Sequence, residues 1–114
     1  MFAEHTSPFI KTPTFPLQSQ YDHWQAGHVL ANMSNIPELG KNITARLISN
    51  LLVNKYNGAF LDSCLHHCGS WGDITIDGDN QNAAFESWYN DPAKKSFWNQ
   101  AQPYPCEACC SNGQ

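Results

Sequence analysis

Apolar positions fall into a few short patterned stretches separated by polar, turn-rich segments. From Pro37 to Val53, Leu39, Ile43, Leu47 and Leu51, joined by Ile48 and Leu52, recur every three or four residues, the spacing that aligns side chains on one face of an α-helix. Pro37 suits the first turn of that helix, and Asn35 or Ser34 stands where a cap is needed. Ahead of it, residues 1 to 13 carry Pro8 and Pro13 without periodicity and are expected to be irregular. Thr14-Phe15-Pro16-Leu17-Gln18 is predicted as a short strand, which Pro16 confines to an edge or to the strand's first residue. Beyond the helix, Asn57-Gly58 marks a turn and Ala59-Phe60-Leu61 a brief buried strand. Strand, helix and strand in this order predict one right-handed crossover unit of a parallel sheet.

The second half of the chain is less regular. Gly69 to Gly78 is turn-rich, with Ile74-Thr75-Ile76 as an extended piece. Asn82 to Asn90 is predicted as a second helix, ending before Pro92, whose Phe85, Trp88 and Tyr89 share a face that needs a core to cover it. Beyond Trp98 the sequence turns polar and cysteine-bearing, and Ser111 to Gln114 are expected to fray. There is no internal repeat, low-complexity tract or linker, so residues 1–114 are treated as one unit.

Composition narrows the classes of function. A chain with 41% hydrophobic, 12% aromatic and only 14% charged residues is folded material. Its net charge of −4 and six Lys and Arg, adjacent only at Lys94-Lys95, speak against a nucleic-acid partner. The apolar runs are far shorter than the roughly 20 residues that span a bilayer. Five cysteines, three of them within Cys106 to Cys110, predict an oxidising compartment, a disulfide framework and secretion. The sequons Asn32-Met33-Ser34 and Asn42-Ile43-Thr44 fit that compartment. Met1 to His5 shows neither a basic nor an apolar export region, and the odd cysteine needs a mate. Both features are expected of a piece whose upstream segment is missing.

The chemistry concentrates in Phe60-Leu61-Asp62-Ser63-Cys64-Leu65-His66-His67-Cys68-Gly69-Ser70, which sets a histidine between two cysteines just past an apolar stretch. Upstream stands Tyr21-Asp22-His23-Trp24-Gln25, and downstream Pro103-Tyr104-Pro105-Cys106 followed by Cys109. In this order the three stretches resemble the pectin acetylesterase and Notum family of carboxylesterases. The resemblance implies the C-terminal portion of an α/β-hydrolase fold: a last strand-helix-strand unit plus a cysteine-rich tail, incomplete as an independent domain. It also implies a Ser-Asp-His triad with Asp22 as the acid and His67 as the base. The family pattern places the base immediately before the second cysteine, which selects His67 over His66. No Gly-x-Ser-x-Gly elbow occurs, so the serine is expected upstream and the chain alone is expected to be inactive. The implied reaction is hydrolysis of O-acetyl esters on a pectic polysaccharide through an acyl-enzyme, with no metal and no cofactor. Cys68 after the histidine and the Pro-Tyr-Pro-Cys segment favour the pectin acetylesterase branch over the Notum branch, which removes a fatty acyl group from a signalling protein.

Taken singly, these residues have plainer explanations. A lone histidine is more often a hydrogen-bonded polar group near the surface than a base, and a lone aspartate more often shapes a turn. Cys64, His67, Cys68, Cys106 and Cys109 suggest zinc, but the gap between the cysteine pairs far exceeds the roughly 15 to 20 residues of a zinc ribbon. Trp24, Trp71, Trp88 and Trp98 are most simply core or interface aromatics, with the alternative that one of them lines a sugar-binding cleft, which the sequence does not single out. A secreted, disulfide-rich binding module without catalysis is the alternative in another class.

Overall fold

The computed structural model describes residue 6, residues 9 to 29, 35 to 67 and 73 to 100, and residue 110. The elements in chain order are β1 (Leu17–Ser19), α1 (His23–Val29), α2 (Ile36–Leu51), β2 (Ala59–Asp62), β3 (Thr75–Ile76), β4 (Asp79–Asn80), α3 (Gln81–Asn90) and β5 (Phe97–Asn99). Three strands form a parallel sheet in the order β1-β2-β5, with Leu17 opposite Phe60 and Phe60 opposite Trp98. The arrangement is α/β, as the sequence predicts. Two helices rather than one separate β1 from β2.

All four residues of β2 are buried, as in a central parallel strand covered on both faces. Alternation along the strand divides its side chains between two cores. Ala59 and Leu61 pack with Leu51, Leu47 and Ile48 of α2 and with Phe97. Phe60 meets Ile74, Ile76, Ala84, Trp88 and Trp98 on the other face, joined by Phe15. Burying a side chain such as Phe60 contributes about 1.5–3 kcal/mol, so the central strand is the best-anchored part of the sheet.

Helix α2 lies close to its predicted span, with Pro37 in its first turn, but Asn35 makes no side-chain capping bond. Ser34, the other expected cap, lies outside the described residues. Leu52 is exposed rather than on the buried face. The helix stops at Leu51, after which Asn54 N donates to Leu51 O and Asn57 N to Asn54 O, turning the chain toward β2.

Two other elements differ from expectation. The Asp77-Gly78 loop of the β3-β4 hairpin has φ of 54° and 85°, the left-handed conformation that two-residue hairpin loops require. In α3, Ala84 and Trp88 enter the core, whereas Phe85 and Tyr89 are exposed, so the expected aromatic face is only partly buried. Among the described residues no helix is long and apolar enough to cross a membrane.

Candidate active site

Parallel pairing brings the C-terminal ends of β1 and β2 together, and a polar network ties the segments that follow. Gln20 N donates to Asp62 O at 2.9 Å, extending the ladder past β1. Ser19 Oγ donates to the Cys64 carbonyl and accepts from Tyr21 N at 3.0 Å. The Tyr21 ring lies against Gly40 of α2 so closely that a Cβ there would overlap it. On the β5 side, Ser63 donates through both N and Oγ to Gln100 Oε1, at 2.9 and 2.8 Å. Gln20 Nε2 donates to Asn99 Oδ1 and Gln100 O.

Asp22 stands at the start of α1 and divides its carboxylate between two tasks. Oδ1 accepts from Gln25 N at 2.8 Å, the bond of an N-cap, which satisfies a backbone donor the helix leaves unpaired. Oδ2 lies 2.8 Å from His67 Nδ1. An ionised carboxylate only accepts, so the Nδ1 proton is donated to it and Nε2 is left as the basic ring nitrogen. The two segments also meet through backbone, His23 N donating to His66 O at 3.1 Å. The two residues chosen from sequence, Asp22 and His67, are therefore brought together.

Burial separates the neighbouring histidines. The His67 side chain is 47% exposed, and among the described residues no hydrogen bond engages its Nε2. His66 is 3% exposed and sits on the fully buried Asp62, its Nε2 2.9 Å from Oδ2 and 3.1 Å from Oδ1. The plain expectation that both imidazoles lie near the surface thus fails for His66. Asp62 Oδ1 also accepts from Cys64 N at 2.8 Å. Cys64 is disulfide-bonded to Cys110, with a Cα–Cα distance of 5.7 Å, which anchors the histidine loop near its start and removes that sulfur as a zinc ligand. Cys68, Cys106, Cys109 and the Pro103-Tyr104-Pro105 segment lie outside the described residues.

Two participants are not singled out by the sequence. Trp24, expected in a core or interface, is 50% exposed; its ring stacks on His28 at 4.2 Å and flanks His67 at 5.9 Å. Asp62 is the other. Its sequence signal is slight: an acidic residue closing an otherwise apolar strand, four positions before a histidine.

A half-exposed imidazole with Nδ1 held by a buried carboxylate has the geometry of a general base. Among the described residues, the hydroxyls of Ser63 and Ser19 are engaged elsewhere, Ser63 Oγ by Gln100 and Ser19 Oγ by the Cys64 carbonyl. Among the described residues no group of three or more His, Cys, Asp and Glu could hold a metal ion.

No family model matches the chain. Two similar proteins from Arabidopsis thaliana are pectin acetylesterase 5, 29% identical over 142 aligned positions, and pectin acetylesterase 4, 28% identical over 138. The alignments cover 98% and 96% of this chain but 33% of each relative, so the chain spans about a third of the length of the curated relatives it matches. The resemblance carried by Asp22, His67 and the cysteines is thus a likeness to pectin acetylesterases along nearly the whole chain.

Proposed function

We propose that residues 1–114 are the C-terminal portion of an α/β-hydrolase-fold serine carboxylesterase that removes O-acetyl groups from pectic polysaccharide. Asp22 and His67 are the acid and base of its Ser-Asp-His triad, and the nucleophilic serine stands on a segment upstream. The observation that carries this is the Asp22–His67 hydrogen bond beyond the C-terminal ends of two adjacent parallel strands. Open parallel sheets place their sites at those ends, and α/β-hydrolases supply the triad in the chain order Ser, Asp, His. Similarity to pectin acetylesterases over 96% or more of the chain supports the substrate class, and coverage of a third of their length supports a longer parent enzyme.

In this mechanism His67 Nε2 takes the serine proton as the serine oxygen attacks the ester carbonyl, then returns it to the departing sugar hydroxyl. The same nitrogen next deprotonates the water that cleaves the acyl-enzyme and releases acetate. Asp22 holds the Nδ1–H tautomer and stabilises the imidazolium formed in both halves. The Cys64–Cys110 disulfide supports secretion, because disulfides persist in oxidising compartments.

Turnover of acetylated pectin by the full-length enzyme tests the assignment. His67→Ala and Asp22→Asn are expected to lower kcat by about 10⁴-fold, the latter because an amide favours the wrong tautomer, whereas His66→Ala costs far less. Near-normal turnover by His67→Ala would sink the assignment. The 114-residue chain alone is expected to be inactive for want of a nucleophile; activity that disappears on Ser63→Ala would make that local serine the nucleophile instead.

A further inference from the structure

The proposed reaction uses Asp22 and His67 but not the second carboxylate–imidazole pair one residue away. Asp62 and His66 are too deeply buried to touch a polysaccharide, at 0% and 3% side-chain exposure. Their connections show a different role. The Asp62 carboxylate accepts from His66 Nε2 and from Cys64 N, so among the described residues both of its donors belong to the loop that delivers His67. A buried carboxylate requires such partners, and the loop cannot leave the end of β2 without stranding it. On its other side, the His66 carbonyl accepts from His23 N at 3.1 Å. His23 is the residue after Asp22, and His67 the residue after His66. His66 therefore ties its side chain to the end of β2 and its carbonyl to the start of α1, between the two backbones whose separation decides whether His67 Nδ1 reaches Asp22 Oδ2.

We infer that Asp62 and His66 form a buried strut that positions His67 against Asp22 and so sets the rate of ester cleavage without touching substrate. They are positioning residues, and the inference rests on the triad assignment above. Other contacts hold the loop as well: the disulfide, the Ser63–Gln100 bonds and the bond from Ser19 Oγ to the Cys64 carbonyl. These act at Ser63 and Cys64, whereas the strut acts at the residue adjoining His67. Its loss is therefore expected to misplace the imidazole while leaving the sheet intact.

The test uses the full-length enzyme, acetylated pectin and a small aryl acetate as substrates, and ¹⁵N-histidine spectra of the His67 ring. Asp62→Asn and His66→Leu are expected to lower kcat by about 10- to 100-fold, the scale of a roughly 1 Å misplacement, with KM within about twofold. His66→Gln, whose amide retains a donor for Asp62, recovers most of that rate. In an Asp22→Asn background the cost of Asp62→Asn shrinks to less than about threefold, because groups that act through one contact are not additive. The His67 Nδ1 resonance moves in Asp62→Asn and His66→Leu. Unchanged kcat in these variants, the same loss in the Asp22→Asn background, or an unmoved Nδ1 resonance would overturn the strut. Should Asp62→Asn not fold, equal kcat for His66→Leu and His66→Gln would do so. His67→Ala separates the two levels: if it stays active, the triad assignment falls, and if it is inactive while the strut variants run at full rate, the strut falls alone.

Discussion

The two ends of the parallel sheet are built from different materials. At and just past the C-terminal ends of the strands, Ser19, Gln20, Asp22, Asp62, Ser63 and His66 are buried polar groups, crosslinked by directional hydrogen bonds. At the N-terminal ends, Phe15 packs against Trp88 at 4.9 Å, Phe85 at 5.7 Å and Trp98 at 5.9 Å. Asn57, which accepts from Thr14 N and donates to Leu51 O, is the buried polar exception there. The largest difference lies in what each end fixes. Apolar contact is non-directional and contributes in proportion to area, so the aromatic end supplies stability without specifying angles. Hydrogen bonds to buried charge specify position, and their worth collapses when one partner is lost. An aromatic groove of ≈ 550 Å³ lies between Phe15, Tyr56, Phe85, Trp88 and Tyr89, on residues that precede the strands or belong to α3 rather than beside His67.

If the division holds, substitutions at one end should change rate and those at the other stability. The largest effect is expected for His67→Ala, about 10⁴-fold in kcat or about 5.4 kcal/mol of barrier. Its side chain is half exposed, so the thermal midpoint should barely move. A large fall in melting temperature would show that the imidazole also carries packing. The converse is Trp98→Ala. Trp98 is fully buried between the hairpin and β2, with Nε1 donating to Asp79 Oδ2 at 3.0 Å. Its truncation should cost about 3–5 kcal/mol of stability, read by urea unfolding, while activity per folded molecule stays near that of the parent.

A smaller effect is expected at Gly58, where β2 begins. An added Cβ would sit 2.7 Å from both the Phe15 and Trp88 rings, hard against the Ser96 carbonyl. Gly58→Ala should therefore destabilise by about 1–3 kcal/mol, as overpacking does, again with little change in kcat. A matched loss of rate would mean that strain passes along β2 to Asp62, and the two ends would no longer be separable.

How far each part was legible in the sequence follows from what stabilises it. Helix α2 could be seen because sixteen residues repeat one apolar spacing, and β2 because an apolar run follows Asn57-Gly58. Helix α1 and β5, of seven and three residues, carry no periodic signal. One exists because Asp22 caps it, the other because β2 offers an edge that bonds Ala59 N to Ser96 O and Leu61 O to Gln100 N. Both causes are tertiary. That Asp22 and His67 meet could be expected from the place of His67 before a cysteine and from the order of the motifs. The Asp62–His66 pair could not, because spacing along a chain does not tell which of two adjacent imidazoles a loop turns inward. The same holds for Trp24, whose exposed ring beside His67 depends on how α1 leaves the sheet.

The smallest predicted effect compares the caps of two helices. Asn80 Oδ1 accepts from Ala83 N at 2.9 Å at the start of α3, as Asp22 Oδ1 accepts from Gln25 N at the start of α1. Asn80→Ala removes only that bond and should cost about 1 kcal/mol, lowering the unfolding midpoint in urea without altering kcat. Asp22→Asn is the instructive partner, because asparagine caps a helix about as well as aspartate. Its stability should stay within about 0.5 kcal/mol of the parent even as turnover falls. One kind of local bond thus serves stability alone at the start of α3. At the start of α1 the capping group is the Asp22 carboxylate, whose second oxygen is committed to His67. If Asp22→Asn destabilised the protein as much as Asn80→Ala, the bond to His67 would be holding the fold together as well as orienting the imidazole, and the contrast between the two ends would need redrawing around that single contact.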